Sequence, residues 1–144
     1  MTDLIARART FLGRGLEEVQ ALLGPGAEPI PGDEYGRLTD LTSIEDPTVF
    51  PGTLYLADGV VDLVRVGPDD LVSVSRSDLE SQLGGDAVGL ASRAGKRATL
   101  WVHAPEGVAY SEEDGVLHYL EVFRPRPQER YEAELYREPG PFLR

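Results

Sequence analysis

The sequence predicts an α+β fold, an antiparallel sheet with helices packed on one face. Three observations carry this expectation. Asp58-Gly59 separates two β-rich runs, Thr53–Ala57 and Val60–Val66, and a two-residue Asp-Gly loop selects the type I′ turn of a hairpin. Asp114-Gly115 does the same between Val108–Ser111 and Val116–Phe123. Helical patterns precede both hairpins, and the connections between strands are too short for parallel crossovers.

The two hairpins also resemble each other. Gly52 and Tyr55 are spaced as Gly107 and Tyr110, Asp58-Gly59-Val60 matches Asp114-Gly115-Val116, and Leu63 and Val66 match Tyr119 and Val122. One residue is inserted before the second turn. Leu16–Gly24 precedes the first hairpin and Ser77–Gly84 the second. This reads as a diverged duplication of an α-then-β unit within one domain, 1–144. Pseudo-repeat 1 spans about 1–68, pseudo-repeat 2 about 69–125, and a C-terminal helix and tail fill 126–144. Chance is the alternative, since hairpins and Leu-Gly helix ends are common.

In chain order, residues 2–12 form a helix capped by Thr2 or Asp3, with Leu4, Ile5, Ala8, Phe11 and Leu12 on one face. Gly13-Arg14-Gly15 breaks it. A second helix covers 16–23, with Glu17 and Glu18 in its first turn, where they suit the helix dipole. Gly24 and Pro25 end it. Residues 25–33 are a loop, Glu34–Leu41 a first strand with Tyr35 at its start, and Asp40–Pro51 a polar connection. After the first hairpin, Leu71–Val74 is a short strand. Ser77-x-x-Glu80 has the form of a capping box for a helix over 77–83. A strand follows around Ala87–Ala91, then a buried strand, Ala98–His103, holding Trp101. Beyond the second hairpin, Arg124-Pro-Arg-Pro127 ends the sheet, because proline donates no ladder hydrogen bond. Gln128–Arg137 forms the last helix.

The chain has 144 residues, 41% hydrophobic and 27% charged, enough for one domain with its own core. There is no membrane-length apolar run, no signal-peptide h-region and no cysteine. A cytoplasmic location is the expectation. Arginine outnumbers lysine 13 to 1, which a GC-rich bacterial genome explains. The net charge of −11 argues against nucleic-acid binding. Residues 28–90 hold thirteen of the 25 acids against three bases, a concentrated negative field that attracts a basic partner or serves solubility.

A search for reactive groups finds little. Two histidines, His103 and His118, approach each other if their strands are neighbours, but no third ligand has metal-site spacing. No serine lies in Gly-x-Ser-x-Gly, although Ser111 with His118 makes a dyad on paper. The acid pairs Asp33-Glu34, Glu45-Asp46 and Asp69-Asp70, and the run Glu112-Glu113-Asp114, fall in expected turns. There they read as solvated charge and not as an acid–base pair. Gly13-Arg-Gly15 and Gly24-Pro-Gly26 lack nucleotide-fingerprint spacing. No metal or other cofactor is implied. Trp101, Tyr55, Tyr110 and Tyr119 are strand aromatics, read as core or as anchors on an open sheet face.

Gly15-Leu-Glu-Glu-Val-Gln-Ala-Leu-Leu-Gly-Pro25, preceded by a short helix and followed by the Asp58-Gly59-Val60-Val61 hairpin, resembles the opening of the β-lactamase-inhibitor-protein-like fold. That fold also occurs in outer-membrane assembly lipoproteins, in tandem copies. Short actinobacterial proteins resembling immunity proteins of secreted toxins use the same run. The resemblance covers about half the chain and marks a supersecondary unit; it assigns no contact residue. Neither the cysteines of the secreted inhibitors nor a lipobox is present. It implies a cytoplasmic, non-enzymatic protein-binding module of the immunity or inhibitor type, monomer or homodimer. Such a protein masks a basic site on a toxin-like partner with an acidic surface. The candidate contacts are Asp33, Glu34, Glu45, Asp46, Asp69 and Asp70, with Tyr35, Tyr55 and Trp101 as anchors. The alternatives are a small enzyme or ligand-binding domain with a pocket near His103 and His118, and a structural or oligomerisation domain.

Overall fold

The computed structural model describes residues 3–24, 26–84 and 86–139. Helices α1 (Asp3–Arg9) and α2 (Leu16–Leu23) precede four strands, β1 (Ile30–Tyr35), β2 (Leu38–Asp46), β3 (Phe50–Ala57) and β4 (Val60–Val66). A 3-10 helix, Pro68–Asp70, and helix α3 (Arg76–Leu83) lead to β5 (Val88–Ala91), β6 (Thr99–His103), β7 (Val108–Glu113) and β8 (Val116–Phe123). Helix α4 (Gln128–Glu134) follows. All eight strands form one antiparallel sheet in the order β1-β2-β3-β4-β8-β7-β6-β5. No helix among the described residues is long and apolar enough to cross a membrane.

The sheet order runs inward from each edge in sequence order and meets at β4–β8. Both Asp-Gly turns have positive φ at both central residues, 51° and 85° at Asp58-Gly59 and 52° and 83° at Asp114-Gly115. Those are the signs a type I′ turn requires. Each hairpin then breaks register once, between Tyr55 and Leu56 and between Ser111 and Glu112. The register pairs Tyr55 with Leu63 and Ser111 with Tyr119. Tyr55 therefore corresponds to Ser111, not to Tyr110. The residue inserted in β7 shifts the alternation by one and sends Tyr110 to the opposite face.

Both faces are covered. On one, α1, α2 and α3 bury Leu4, Ile5, Val19, Leu23, Leu79 and Leu83 against Leu54, Val61, Val64, Leu120 and Val122. On the other, Tyr131 and Leu135 at α4 pack with Tyr35, Leu63, Tyr119 and Phe123. The three helices expected on one face are there, and α4 occupies the opposite one.

Several local expectations change. The stretch Glu34–Leu41 is not one strand, because Gly36-Arg37 turns the chain between β1 and β2. Gly36 has φ 60°, and a Cβ there would lie 2.6 Å from the Glu134 carbonyl oxygen, so α4 can cross this turn only over glycine. Tyr35 closes β1 and does not open a strand. Asp40–Pro51 is mostly strand, with β2 and the start of β3 joined at Pro47–Val49; its polar residues line an edge region, where one face meets solvent. Leu71–Val74 is a turn after the 3-10 helix. Helix α3 is capped by Ser75, whose Oγ accepts from Asp78 N at 3.1 Å while Asp78 Oδ2 accepts from Ser75 N at 3.3 Å. Ser77 is inside the helix. Helix α4 ends at Glu134, short of Arg137, and α1 ends at Arg9, giving way to turns. The expected cap Thr2, the helix-stopping Pro25, Gly85 and the tail beyond residue 139 lie outside the described residues.

Candidate functional site

Side chains two apart on a strand share a face. Asp33 on β1, Ser43 and Glu45 on β2, Thr53 and Tyr55 on β3, and Arg65 on β4 thus share the α4 side of the sheet. The pairings Asp33–Leu41, Ser43–Tyr55, Glu45–Thr53 and Thr53–Arg65 lay them across one surface. This surface lies beyond the part that α4 buries: Glu45 is exposed, and Asp33, Thr53, Tyr55 and Arg65 are half-buried. Asp70, at the end of the 3-10 helix, joins Glu45, Thr53 and Arg65 around a shallow cavity of about 250 Å3. Glu45 Oε1 accepts from Thr53 Oγ1 at 3.0 Å, which holds the carboxylate in place. Burial raises the Tyr55 hydroxyl pKa, Asp33 and Glu45 raise it further, and Arg65 opposes them. Tyr55 is therefore a neutral donor at the edge of an acidic patch. Its ring meets Tyr35 edge-on at 5.0 Å.

The other expected contacts do not join this patch. Tyr35 is 2% exposed and belongs to the core. Asp46 is committed to its own turn, its Oδ1 accepting from Thr48 N at 3.1 Å and Thr48 Oγ1 at 2.6 Å. Glu34 follows Asp33 and points the other way by strand alternation. Asp69 lines a different cavity, with Val72, Val116 and His118. Trp101 is half-buried on the helix-covered face. The Arg76 guanidinium sits 4.2 Å above its ring, and its Nε1 donates to Glu112 Oε1 at 3.3 Å.

The two histidines are kept apart. Strand β7 lies between β6 and β8, and His103 faces Val108 at the start of β7, while His118 falls in the register break near its end. His118 pairs with Glu113 at 3.4 Å. Ser111 is buried and hydrogen-bonded to Ser92 at 2.6 Å, so no Ser111–His118 dyad forms. Among the described residues, no group of three or more His, Asp or Glu side chains is placed to hold a metal ion.

Comparison with family models, with curated proteins and with solved structures finds no match. The chemistry must be read from this chain alone.

A second polar cluster was not legible in the sequence. Glu121 on β8 is 1% exposed and accepts hydrogen bonds from the hydroxyls of Tyr35 and Tyr131. Burial raises its pKa; the two tyrosines, Arg137 and Arg65 pull it back down without cancelling the rise. Arg137 lies 4.4 Å over the Tyr35 ring and Arg65 5.0 Å over Tyr119. Beside it, Asp62 Oδ1 accepts from Arg126 at 2.6 Å and Arg124 at 2.8 Å, and Arg126 also reaches Glu134 at 2.6 Å. These contacts join β1, β4, β8 and α4. They fix the covered half of the face whose open half carries Tyr55.

Proposed function

We propose that the chain is a non-enzymatic protein-binding module of the immunity or inhibitor type, which masks a basic site on a toxin-like partner with an acidic sheet surface. One observation carries the reading. Asp33 and Glu45, on two different strands, lie around Tyr55, and Asp70, from a third segment, joins Glu45 at the neighbouring cavity on the same sheet surface. Sequence proximity does not produce that convergence. Tyrosine is a frequent binding anchor, and a patch of one sign speeds encounter with an oppositely charged partner. The same proposal includes the resemblance to the β-lactamase-inhibitor-protein-like fold, a cytoplasmic location, and descent of the two halves from one α-then-β unit. Support for that descent comes from the matched turns, register breaks and inward strand order.

The test is association kinetics with a basic protein partner, sought first among the products of neighbouring genes. Reversing Asp33, Glu45 and Asp70 together to lysine slows association at least about tenfold at low salt. The effect shrinks as salt screens the patch. Reversing Glu34 and Asp69, which lie off the patch, has a much smaller effect. A rate indifferent to the triple reversal and to salt would remove the proposal.

A further inference from the structure

On the helix-covered face, a cavity of about 240 Å3 opens between α3 and the ends of β6 and β7. Arg76, Glu80, Asp86, Trp101, His103 and Tyr110 line it. Its floor is aromatic: the His103 and Tyr110 rings stack at 5.8 Å and 25°. Both residues are buried, 4% and 0% exposed. Yet among the described residues His103 Nε2 has no hydrogen-bond partner, and the Tyr110 hydroxyl, with the Arg76 guanidinium as its neighbour, makes no well-formed one. A buried polar atom left unpaired costs about 1–3 kcal/mol. Such atoms on a cavity wall mark where a bound group completes the set.

The charges give the sign of that group. Arg76 is already compensated: its Nε lies 3.0 Å from Glu80 Oε1, its Nη1 lies 3.6 Å from Glu112 Oε1, and it is stacked on Trp101. Glu80 and Asp86 are exposed carboxylates at the wall, so an incoming anion meets two like charges. Burial lowers the His103 pKa, and this outweighs the opposing effects of Glu80, Glu106 and the Gly84 carbonyl, so the imidazole is neutral at pH 7. A neutral imidazole keeps a lone pair on one ring nitrogen, and the unpartnered Nε2 can present it to an N–H donor. A lone pair, a phenol oxygen and a carboxylate make a set of acceptors for N–H donors.

We propose that this cavity binds a primary alkylammonium or guanidinium group, with Asp86 as the counter-charge and His103 Nε2 as the acceptor in the floor. The volume lies below the roughly 300–1,000 Å3 of ordinary small-molecule sites. It suits one side chain or one small amine. The site is on the opposite face from Tyr55, so it stands apart from the acidic patch. Two sources supply the chemistry, a free alkylamine and a lysine or arginine side chain of a polypeptide.

The experiment titrates the full chain with n-butylamine, with methylguanidinium, with an end-blocked lysine tripeptide and, as a control, with acetate. The readout is the His103 ring and Trp101 indole resonances by NMR. Saturable shifts with an amine, a guanidinium or the peptide are expected, and none with acetate. Saturation by n-butylamine or methylguanidinium assigns a free ligand as sufficient, and saturation by the peptide alone assigns a polypeptide side chain. Asp86→Asn weakens binding about tenfold, the value of one hydrogen bond to a charged group. His103→Phe weakens it similarly where circular dichroism shows the fold intact. Because Asp86 is exposed, the Asn variant folds and carries the test alone if the Phe variant does not. No saturable shift, an equal response to acetate, or full affinity in Asp86→Asn would overturn the proposal.

Discussion

The two faces of the sheet are held together differently. Under α1, α2 and α3 the core is mostly aliphatic, with a phenylalanine pair, Phe11 and Phe50 at 5.3 Å, and with Tyr110 and Trp101 toward α3. Around α4 it is built on tyrosine and charge: Tyr35, Tyr119 and Tyr131 with the buried Glu121, and Asp62 with Arg126. The first face requires apolar volume at the right period. The second requires particular partners, each on a different element. One face should therefore tolerate exchange of shape-matched residues, and the other should not.

The largest effects test that contrast directly. Leu54, fully buried under the helices, should cost about 2–5 kcal/mol when cut to alanine. Asp62→Ala should cost about 3–5 kcal/mol, because it leaves the buried Arg126 with Glu134 alone. The conservative changes separate the faces. Leu54→Met should cost less than about 1.5 kcal/mol, since volume is kept. Asp62→Asn keeps shape but loses the charge, and should cost about 1.5–3 kcal/mol. Urea denaturation of the four variants measures this. Equal tolerance at the two positions would erase the distinction.

The next effect is one of pH. The folded pKa of Glu121 is raised by burial above its unfolded value. A group raised in this way contributes stability that is fully present below the unfolded pKa, near 4.3 for a glutamate. That contribution is lost as pH rises through the folded pKa. Each unit of elevation is worth about 1.4 kcal/mol. The stability of the wild type relative to Glu121→Gln should therefore fall as pH rises from about 4. Among the described residues no carboxylate is buried in the aliphatic core, so the Leu54 variants should track the wild type at every pH. A pH-independent difference between wild type and Glu121→Gln would show that the charged form is not penalised there.

A smaller effect, about 1 kcal/mol, tests the cap of α3. Ser75→Ala should lose that much because Ser75 caps the helix, while Ser77→Ala should change stability by less than about 0.5 kcal/mol. The sequence favoured Ser77, because Ser77 and Glu80 have capping-box spacing; Ser75 and Asp78 have the same spacing with a shorter acid. The Asp-Gly hairpins were legible because turn type depends on two adjacent residues. The first hairpin, β1–β2, was not, because Gly36-Arg37 carries a weaker turn signal and the strands beside it are rich in Asp, Thr and Ser. The pattern also located α1, α2 and α3 on a common face, since a 3.6-residue period needs only local sequence. It missed the Glu121 site for a different reason. Tyr35, Glu121 and Tyr131 are separated by 86 and 10 positions and meet only once β1, β8 and α4 have docked. The acid patch lies between these cases: Asp33, Glu45, Asp70 and Tyr55 were all named as candidates, but only the pairing of β1 with β2 and β2 with β3 sorts the first two and Tyr55 from Glu34 and Asp46, and only the 3-10 helix turns Asp70 and Asp69 to different cavities.

The smallest expected effect on stability is at Tyr55, on the open half of the polar face. Its hydroxyl lies at a half-exposed edge, unlike those of Tyr35 and Tyr131, which are spent on Glu121. Tyr55→Phe should therefore change folding stability by less than about 0.5 kcal/mol. Tyr35→Phe should cost about 1–3 kcal/mol by leaving a Glu121 oxygen short of a donor. Tyr55→Ala also removes an edge-to-face ring pair, worth about 0.5–1.5 kcal/mol beyond area. Binding should rank the variants differently. If Tyr55 anchors a basic partner among Asp33, Glu45 and Asp70, Tyr55→Ala should weaken the complex by at least about 2 kcal/mol, the range of an interface anchor. Tyr35→Phe should leave the complex nearly unchanged, because that ring is buried before any partner arrives. A tyrosine that matters for folding and not for binding, 5.0 Å from one that does the reverse, would mark where the polar face stops being core and becomes contact surface. Should both substitutions weaken binding only in proportion to their cost in stability, Tyr55 is core like its neighbour, and the contact surface shrinks to the three carboxylates.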